Sequence, residues 1–378
     1  MNERIRRLRP YPMVELARRK AAVAARGIEV LDFGTGDPVE PTAELIRDAL
    51  AEAIPLISQY PTIAGEPELR QAFASWFEAR FGVALDPATE VLPSRGSKEA
   101  MFHLPLVLVD PSEDKRGIVF PEPGYPVMEI GGLYAEADMH AIAMTAENDY
   151  RMDPAAIDPE VLAGARMVWL NYPHNPTGQD LPDELWRAWV AAQEEHGFVL
   201  CSDECYTEIY FGEKPRSLLE FGREGCLVFH SLSKRSGMTA YRSGMVAGDA
   251  ALIADYRKAR AAMGQAQTVW VQHASAAAWG DEKHVEQRRR IFGVKRDIMT
   301  KGLAALGLEV YPTSSTFYLW VGVPAGTTDE AYAAALLEQG IVISPGSMFG
   351  QGNERFFRLA LVPSPAGCKQ ALKRWSNV

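Results

Sequence analysis

The sequence predicts an α/β fold: a large αβα sandwich on a mostly parallel sheet, with a smaller α+β unit beside it. Three observations carry the prediction. Short, nearly unalternating apolar runs recur: RGIVF (116–120), RMVWLNY (166–172), GFVLCSD (197–203), CLVFHS (226–231) and GMVAGD (244–249). Strands buried on both faces of a parallel sheet read in this way. Amphipathic helical patterns separate the runs, and that alternation calls for right-handed crossovers. Past about residue 250 the texture shifts to long helical stretches mixed with a few short strands.

Taken in order, residues 1–40 are too few to form a domain alone, so they are expected to join the C-terminal unit or wrap a partner subunit. Their first stretch, MNERIRRLRPYP, is basic but no apolar segment follows, so it does not read as a secretory signal. Residues 41–280 should form the large unit. Within it, LPSRGSKEAMFHLPL places Gly96 in a tight turn and opens a helix at Ser97, with Pro105 expected to kink or shorten that helix. DELWRAWVAAQEEHG reads as a helix that stops at Gly197. Residues 281–378 should form the small unit, from the helical EKHVEQRRRIFGVKRDIMTKGLAALG through FYLWVGV, DEAYAAALLEQG, GIVIS and RFFRLALV.

Composition bounds the function. A chain of 378 residues can bury a large core and two domains. Hydrophobic residues at 47% and charged residues at 23% are an ordinary globular balance. A net charge of −10 disfavours nucleic acid or an anionic membrane as the main partner. An anionic ligand must then be held by local positive groups. Cys201, Cys205, Cys226 and Cys368 form no CxxC pair, which fits reduced thiols in a cytoplasmic protein. No apolar stretch reaches the roughly 18 residues of a spanning helix. Neither HExxH nor GxSxG occurs, and no metal site is expected.

Ligands of open parallel sheets bind beyond the carboxyl ends of the strands. After RMVWL come Asn171 and, in HNPTG, Asn175; after GFVLCS come Asp203 and Tyr206; after CLVFH come Ser231 and Lys234, with Arg242 further on. Singly, each has a bland reading as a cap or a solvated loop residue. Together they offer an amide, a carboxylate, a phenol, a hydroxyl, an amine and a guanidinium. An aromatic aldehyde bearing a phosphate and a basic ring nitrogen needs that set, and pyridoxal 5′-phosphate is such a molecule. The amine bonds the aldehyde, the carboxylate keeps the ring nitrogen protonated, and the amide and phenol reach the ring oxygen. Hydroxyl and guanidinium suit the phosphate. The helix opened by Gly96, Ser97 and Lys98 supplies free amide donors for the same group. Tyr125, in PEPGYPVM, offers a stacking face.

In these motifs the chain resembles the fold-type I pyridoxal-phosphate enzymes of the aspartate aminotransferase superfamily, and the resemblance covers nearly the whole sequence. It carries NPTG with its upstream Asn, D-x-x-Y, and S-x-S-K followed eight residues later by Arg. The resemblance implies that Lys234 is the Schiff-base lysine, with Asp203 on the ring nitrogen and Tyr206 and Asn175 on the ring hydroxyl. It implies Tyr125 stacking on the ring, and Gly96, Ser97, Lys98, Ser231 and Arg242 around the phosphate. Tyr60, in QYPTIAGEPELR, matches a tyrosine that reaches the neighbouring subunit's phosphate, so a homodimer with shared sites is implied. Arg358, rather than Arg355, matches the arginine that grips the substrate α-carboxylate, and Gly36 a glycine whose backbone faces it. The activity implied is transfer of an amino group between an amino acid and a 2-oxo acid.

The texture of DFGTGDPVEPTAELI, ISQYPTIAGEPELRQAFASWF and GSKEAMFHLPLVLVDP resembles succinyl-diaminopimelate aminotransferases of lysine biosynthesis, with 2-oxoglutarate as acceptor. Arg95 departs from that pattern. A substrate with distal carboxylates should need a second cation, for which Arg95, Lys98 and Arg235 are candidates. Aspartate, aromatic or alanine-type aminotransferases share the same motifs, as does a carbon–sulfur β-lyase.

Overall fold

The computed structural model describes residues 12–378, with side chains from residue 17. Most of the basic N-terminal stretch (1–11) lies outside the described residues.

A two-residue strand, β1 (Leu31–Asp32), precedes the seven strands of the central sheet. These are β2 (Val91–Ser94), β3 (Gly117–Glu122), β4 (Asp138–Ala143), β5 (Ala165–Asn171), β6 (Val199–Asp203), β7 (Cys226–Ser231) and β8 (Gly244–Gly248). Their spatial order is β2-β8-β7-β6-β5-β3-β4. The ladders from β4 through β7 are parallel, whereas β8 runs antiparallel to both β7 and β2. The apolar run of β8 reports burial on both faces, which it has, and carries no information about direction.

Alternate residues of the inner strands feed two separate layers, as a period of two requires. Val168 and Leu170 pack with Phe73, Phe77 and Trp189 on one face. Met167 and Trp169 pack with Met101, Leu104 and Tyr256 on the other. The helices Pro67–Phe81 and Asp183–His196 cover the first face; Ser97–Leu108 and Ala250–Ala262 cover the second. Gly197, at φ +65°, closes the second of these helices in the left-handed conformation expected of a helix-ending glycine. Pro105 does not end its helix. It lies buried three residues before the end and still accepts the amide of Val109 at 2.9 Å.

The remaining strands form a three-stranded antiparallel sheet, β11-β12-β9, and a two-stranded parallel pair. They are β9 (Tyr318–Gly322), β10 (Ile341–Val342), β11 (Ser344–Pro345) and β12 (Phe356–Ala360). β10 pairs with β1, so the N-terminal segment is stitched to C-terminal strands. Phe292, Met299, Leu319, Phe357 and Trp375 form the core here, beneath the long helix Lys283–Ala305 and the helix Pro365–Trp375.

β5 and β6 end level with each other, Asn171 opposite Asp203, and Asp203 stands opposite Phe229 of β7, two residues before Ser231. Three strands therefore release their chemistry-bearing residues at one edge of the sheet. No helix among the described residues is long and apolar enough to cross a membrane.

Candidate active site

A cavity of about 360 Å³ opens at that edge, between the large sheet and β12. Gly36, Ser97, Lys98, Tyr125, Asn175, Asp203, Tyr206, Ser231, Lys234, Arg242 and Arg358 all line it. Two residues singled out in the sequence do not. Gly96 stands directly behind the wall, with Arg242 against its backbone. Tyr60 is fully exposed on this chain, outside the cavity.

Lys234 sits in a single helical turn, Leu232–Arg235, launched from β7. Ser231 caps that turn, its Oγ accepting the amide of Ser233 at 3.2 Å. The Lys234 ammonium donates to the Gly36 carbonyl and lies 5.4 Å from the centre of the Phe317 ring. Asp203 is buried, and its Oδ1 accepts the amide of Cys205 at 3.2 Å. Burial raises its pKa to about 6. A carboxylate held in this way is relieved by a cation placed beside it. The Tyr206 and Tyr318 hydroxyls meet at 2.8 Å, and burial pushes the Tyr206 phenol well up.

One end of the cavity meets a helix start. Gly96, at φ +86°, precedes the helix Ser97–Leu108 with no side chain capping it. A Cβ at Gly96 would come within 2.5 Å of Arg242 Nη2, so only glycine lets this guanidinium lie across the helix start. Arg242 itself takes a positive φ of 53° and is anchored by donating to the Thr239 carbonyl at 2.9 Å.

Arg358 projects from β12 at the opposite end. It donates to Asn175 Oδ1 at 2.9 Å and to the Gly34 carbonyl at 3.0 Å. Its guanidinium lies over the rings of Tyr318 and Phe349, 4.1 and 4.6 Å from their centres. It is buried, its Nε has no hydrogen-bond partner, and no carboxylate among the described residues pairs with it. A buried guanidinium without a counter-anion suits a ligand carboxylate. Its neighbour Arg355 is exposed and donates to the Thr327 carbonyl, away from the cavity.

Of the three candidate second cations, only Lys98 reaches the cavity, its ammonium 5.8 Å from the Tyr125 ring centre. Arg235 is buried between the rings of Trp76 and Trp279 and ion-paired to Glu282, so it is part of the packing. Arg95 is exposed and lies 3.4 Å from Gln265 Oε1. His174 fills space, as its place beside NPTG suggests. Its ring joins Thr177 Oγ1 and the Pro123 carbonyl, at 2.7 and 2.9 Å, and burial lowers its pKa to about 4, so it is neutral at pH 7.

The cavity also holds residues that the sequence reading passed over. Cys205 lies between two residues already singled out, so its place was available; its Sγ donates to Ser97 Oγ at 3.1 Å. Tyr318 comes from β9, and Met348 and Phe349 from the short 3-10 helix Gly346–Phe349; nothing local marks them.

This set fits pyridoxal 5′-phosphate: an amine, a buried carboxylate of raised proton affinity, two phenols, and a cationic helix start shaped by Gly96. The comparisons agree. The family described as aminotransferase class I and II matches residues 28–374. The LL-diaminopimelate aminotransferase of Aquifex aeolicus is 36% identical over 384 residues, covering 100% of this chain and 98% of the relative. An aminotransferase structure from Neisseria meningitidis superposes with a TM-score of 0.92 at 35% identity, all of each chain being covered. A probable N-succinyldiaminopimelate aminotransferase from Thermus thermophilus gives 0.89 at 27% identity, covering 97% of this chain and 99% of that one. With a family match of that extent over a cavity of that chemistry, the chain belongs to the class I and II aminotransferases and is a pyridoxal-phosphate-dependent enzyme.

Proposed function

We propose that this aminotransferase moves an amino group between a diamino diacid of the diaminopimelate class and 2-oxoglutarate. The full-length likeness to the LL-diaminopimelate aminotransferase of Aquifex aeolicus supports the unsuccinylated substrate, and lysine biosynthesis as its setting. The N-succinylated substrate has the support of the Thermus thermophilus structure, at lower identity.

The lining of the cavity supports the following residue roles. Pyridoxal phosphate supplies an aldehyde that captures the amino group and a ring that draws electron density from the substrate Cα. With that group bound, Asp203 would hold a proton on the ring nitrogen, and the cation beside it would offset the cost of burying the carboxylate. Tyr206 and Asn175 would donate to the ring oxygen and Tyr125 would offer a stacking face, while the Cys205 amide holds Asp203. Ser97, the Lys98 amide, Ser231 and Arg242 hold the phosphate, with Gly96 keeping the helix start clear. Arg358 and the Gly36 backbone orient the α-carboxylate, and Asn175 buttresses Arg358. With the cofactor bound, Lys234 Nζ would take the proton from the substrate Cα and deliver it to the cofactor's former aldehyde carbon, on the other side of the transferred nitrogen.

The apolar stretch Ile54, Leu56 and Ile57 stands exposed beside Tyr60. A second copy would cover it and bring Tyr60 to the partner's phosphate site, which makes a homodimer the working unit.

The arrangement is tested by mixing purified holoenzyme with single amino donors and following loss of the cofactor's visible absorption in one turnover. LL-diaminopimelate should convert the cofactor faster than N-succinyl-diaminopimelate, aspartate, alanine or phenylalanine. A faster succinylated donor overturns the unsuccinylated assignment, and a faster aspartate, alanine or phenylalanine overturns the substrate class. Lys234→Ala should abolish turnover while cofactor still binds non-covalently; wild-type rates in that variant would remove Lys234 from its role.

A further inference from the structure

Arg288 is the most anomalous charge in the described chain. It projects from the helix Lys283–Ala305, is only 6% exposed, and none of its three guanidinium nitrogens has a hydrogen-bond partner. Its nearest aromatic neighbour is the Phe292 ring, 5.8 Å away. Burial pulls its proton affinity down, and Glu40 works against that. An uncompensated buried guanidinium is costly, so an arrangement that pairs it with a carboxylate would be favoured.

Two neighbours say which arrangement. The guanidinium lies against Gly237, where a Cβ would be 2.5 Å from Nη1. Gly237 is three residues past Lys234, and its carbonyl accepts Thr42 Oγ1 at 2.8 Å. The second neighbour is Glu40, at the end of the segment that carries Thr35, Gly36 and Asp37 along the cavity wall. Glu40 uses one oxygen to pair with Lys295; its other oxygen, Oε2, is buried and also has no partner. Lys295 in turn donates to the carbonyls of Leu361 and Val362, directly after the strand of Arg358, at 3.1 and 3.0 Å.

We propose that Glu40 Oε2 and the Arg288 guanidinium form an ion pair when substrate binds, locking the segment Phe33–Glu40 down over the cavity between the Lys234 loop and the Arg358 strand. The two groups carry opposite charge, both are buried, both are unsatisfied, and each is tied to one side of the cavity. Closing the pair would complete a chain from β12 through Lys295, Glu40 and Arg288 to the backbone beside Lys234. Both are positioning residues: neither lines the cavity. A ligand that favours the closed state is bound more tightly by whatever stabilises that state, and the coupling is reciprocal.

The inference rests on the proposed roles of Arg358 and Gly36, and the test separates the two. Wild-type holoenzyme, Glu40→Gln, Arg288→Gln and Arg288→Lys are compared with and without saturating α-methyl-L-glutamate, a donor analogue with no Cα hydrogen. Glutamine at 40 still accepts from Lys295 but carries no charge for Arg288. In the wild type, amide exchange over residues 33–42 should slow when the analogue binds. Glu40→Gln and Arg288→Gln should lose most of that added protection and bind the analogue about fivefold more weakly. Their cofactor absorption should be unchanged, and Arg288→Lys should recover part of both effects. Full analogue-induced protection and affinity in Glu40→Gln, with cofactor seated, overturns the lock alone. Loss of protection that is the same without analogue makes the pair merely structural and also overturns it. If the wild type seats cofactor but the analogue neither binds nor slows exchange, the substrate-site reading fails and the lock falls with it.

Discussion

Asp203 shows how one buried group ties stability to cofactor. Its pKa of about 6 in the folded, cofactor-free chain exceeds the ordinary 3.8. A raised folded pKa means the folded state binds the extra proton. The associated stability is complete below pH 4 and disappears as pH rises through 6. The penalty above that pH is about 3 kcal/mol, at 1.36 kcal/mol per unit. Cofactor-free Asp203→Asn should therefore be the more stable protein at pH 7, and the gap should close toward pH 4. Denaturant midpoints at pH 4 to 7 check this; a gap that ignores pH would refute it. Arg358 makes the complementary point about shape. Lysine keeps the charge but cannot serve Asn175 Oδ1, the Gly34 carbonyl and a ligand carboxylate at once. Losing charge-assisted hydrogen bonds worth about 1.5–3 kcal/mol should raise KM for the amino donor roughly ten- to a hundredfold in Arg358→Lys. Cofactor absorption should stay the same; a KM within twofold of wild type would place the carboxylate elsewhere.

At the scale of elements, legibility followed burial. β5, β6 and β7 were readable because both faces are buried, so MVWL (167–170) and CLVF (226–229) are wholly apolar runs, with Arg166 only at the half-buried start of β5. β4 escaped because it is the sheet's edge: DMHAIA is half-exposed and mixes Asp138 and His140 with its apolar residues. β2 escaped as four residues interrupted by Pro93, which an edge strand tolerates. The cavity followed the same logic. Asp203 and Lys234 stand where strands end, a place the sequence marks, whereas Tyr318 and Phe349 arrive by tertiary packing of the C-terminal unit, on a strand and on a 3-10 helix, which it does not. The start of the helix Ser97–Leu108 is where an element alone makes a binding group. Gly96→Ala puts a side chain at φ +86° and displaces Arg242. Arg242 can swing aside, so stability should fall by only about 1 kcal/mol from backbone strain. Cofactor affinity should fall about tenfold or more, read as the concentration of pyridoxal phosphate that restores half the holoenzyme absorption. Unchanged affinity would mean that the helix start does not hold the phosphate.

At the scale of the whole molecule, the proposed homodimer joins two chains. Within one chain, the cofactor and carboxylate residues named from the sequence line one cavity, apart from Gly96 just behind its wall and Tyr60, which is wholly exposed beside Leu56 and Ile57. In the proposed homodimer, self-association on that face would give each cavity a tyrosine from the other copy, so defects in the two places should complement. Tyr60→Ala weakens the hold on cofactor, and Lys234→Ala removes the amine. Each homodimer should be poorly active at limiting pyridoxal phosphate. When equal amounts are unfolded together and refolded, half of the dimers are mixed. In each mixed dimer, the cavity with intact Lys234 receives intact Tyr60 from its partner, and the other cavity carries both defects. About a quarter of all cavities are then complete, and activity should rise toward about a quarter of the wild-type value. A mixture no more active than the mean of its parents would show that Tyr60 serves its own chain or none.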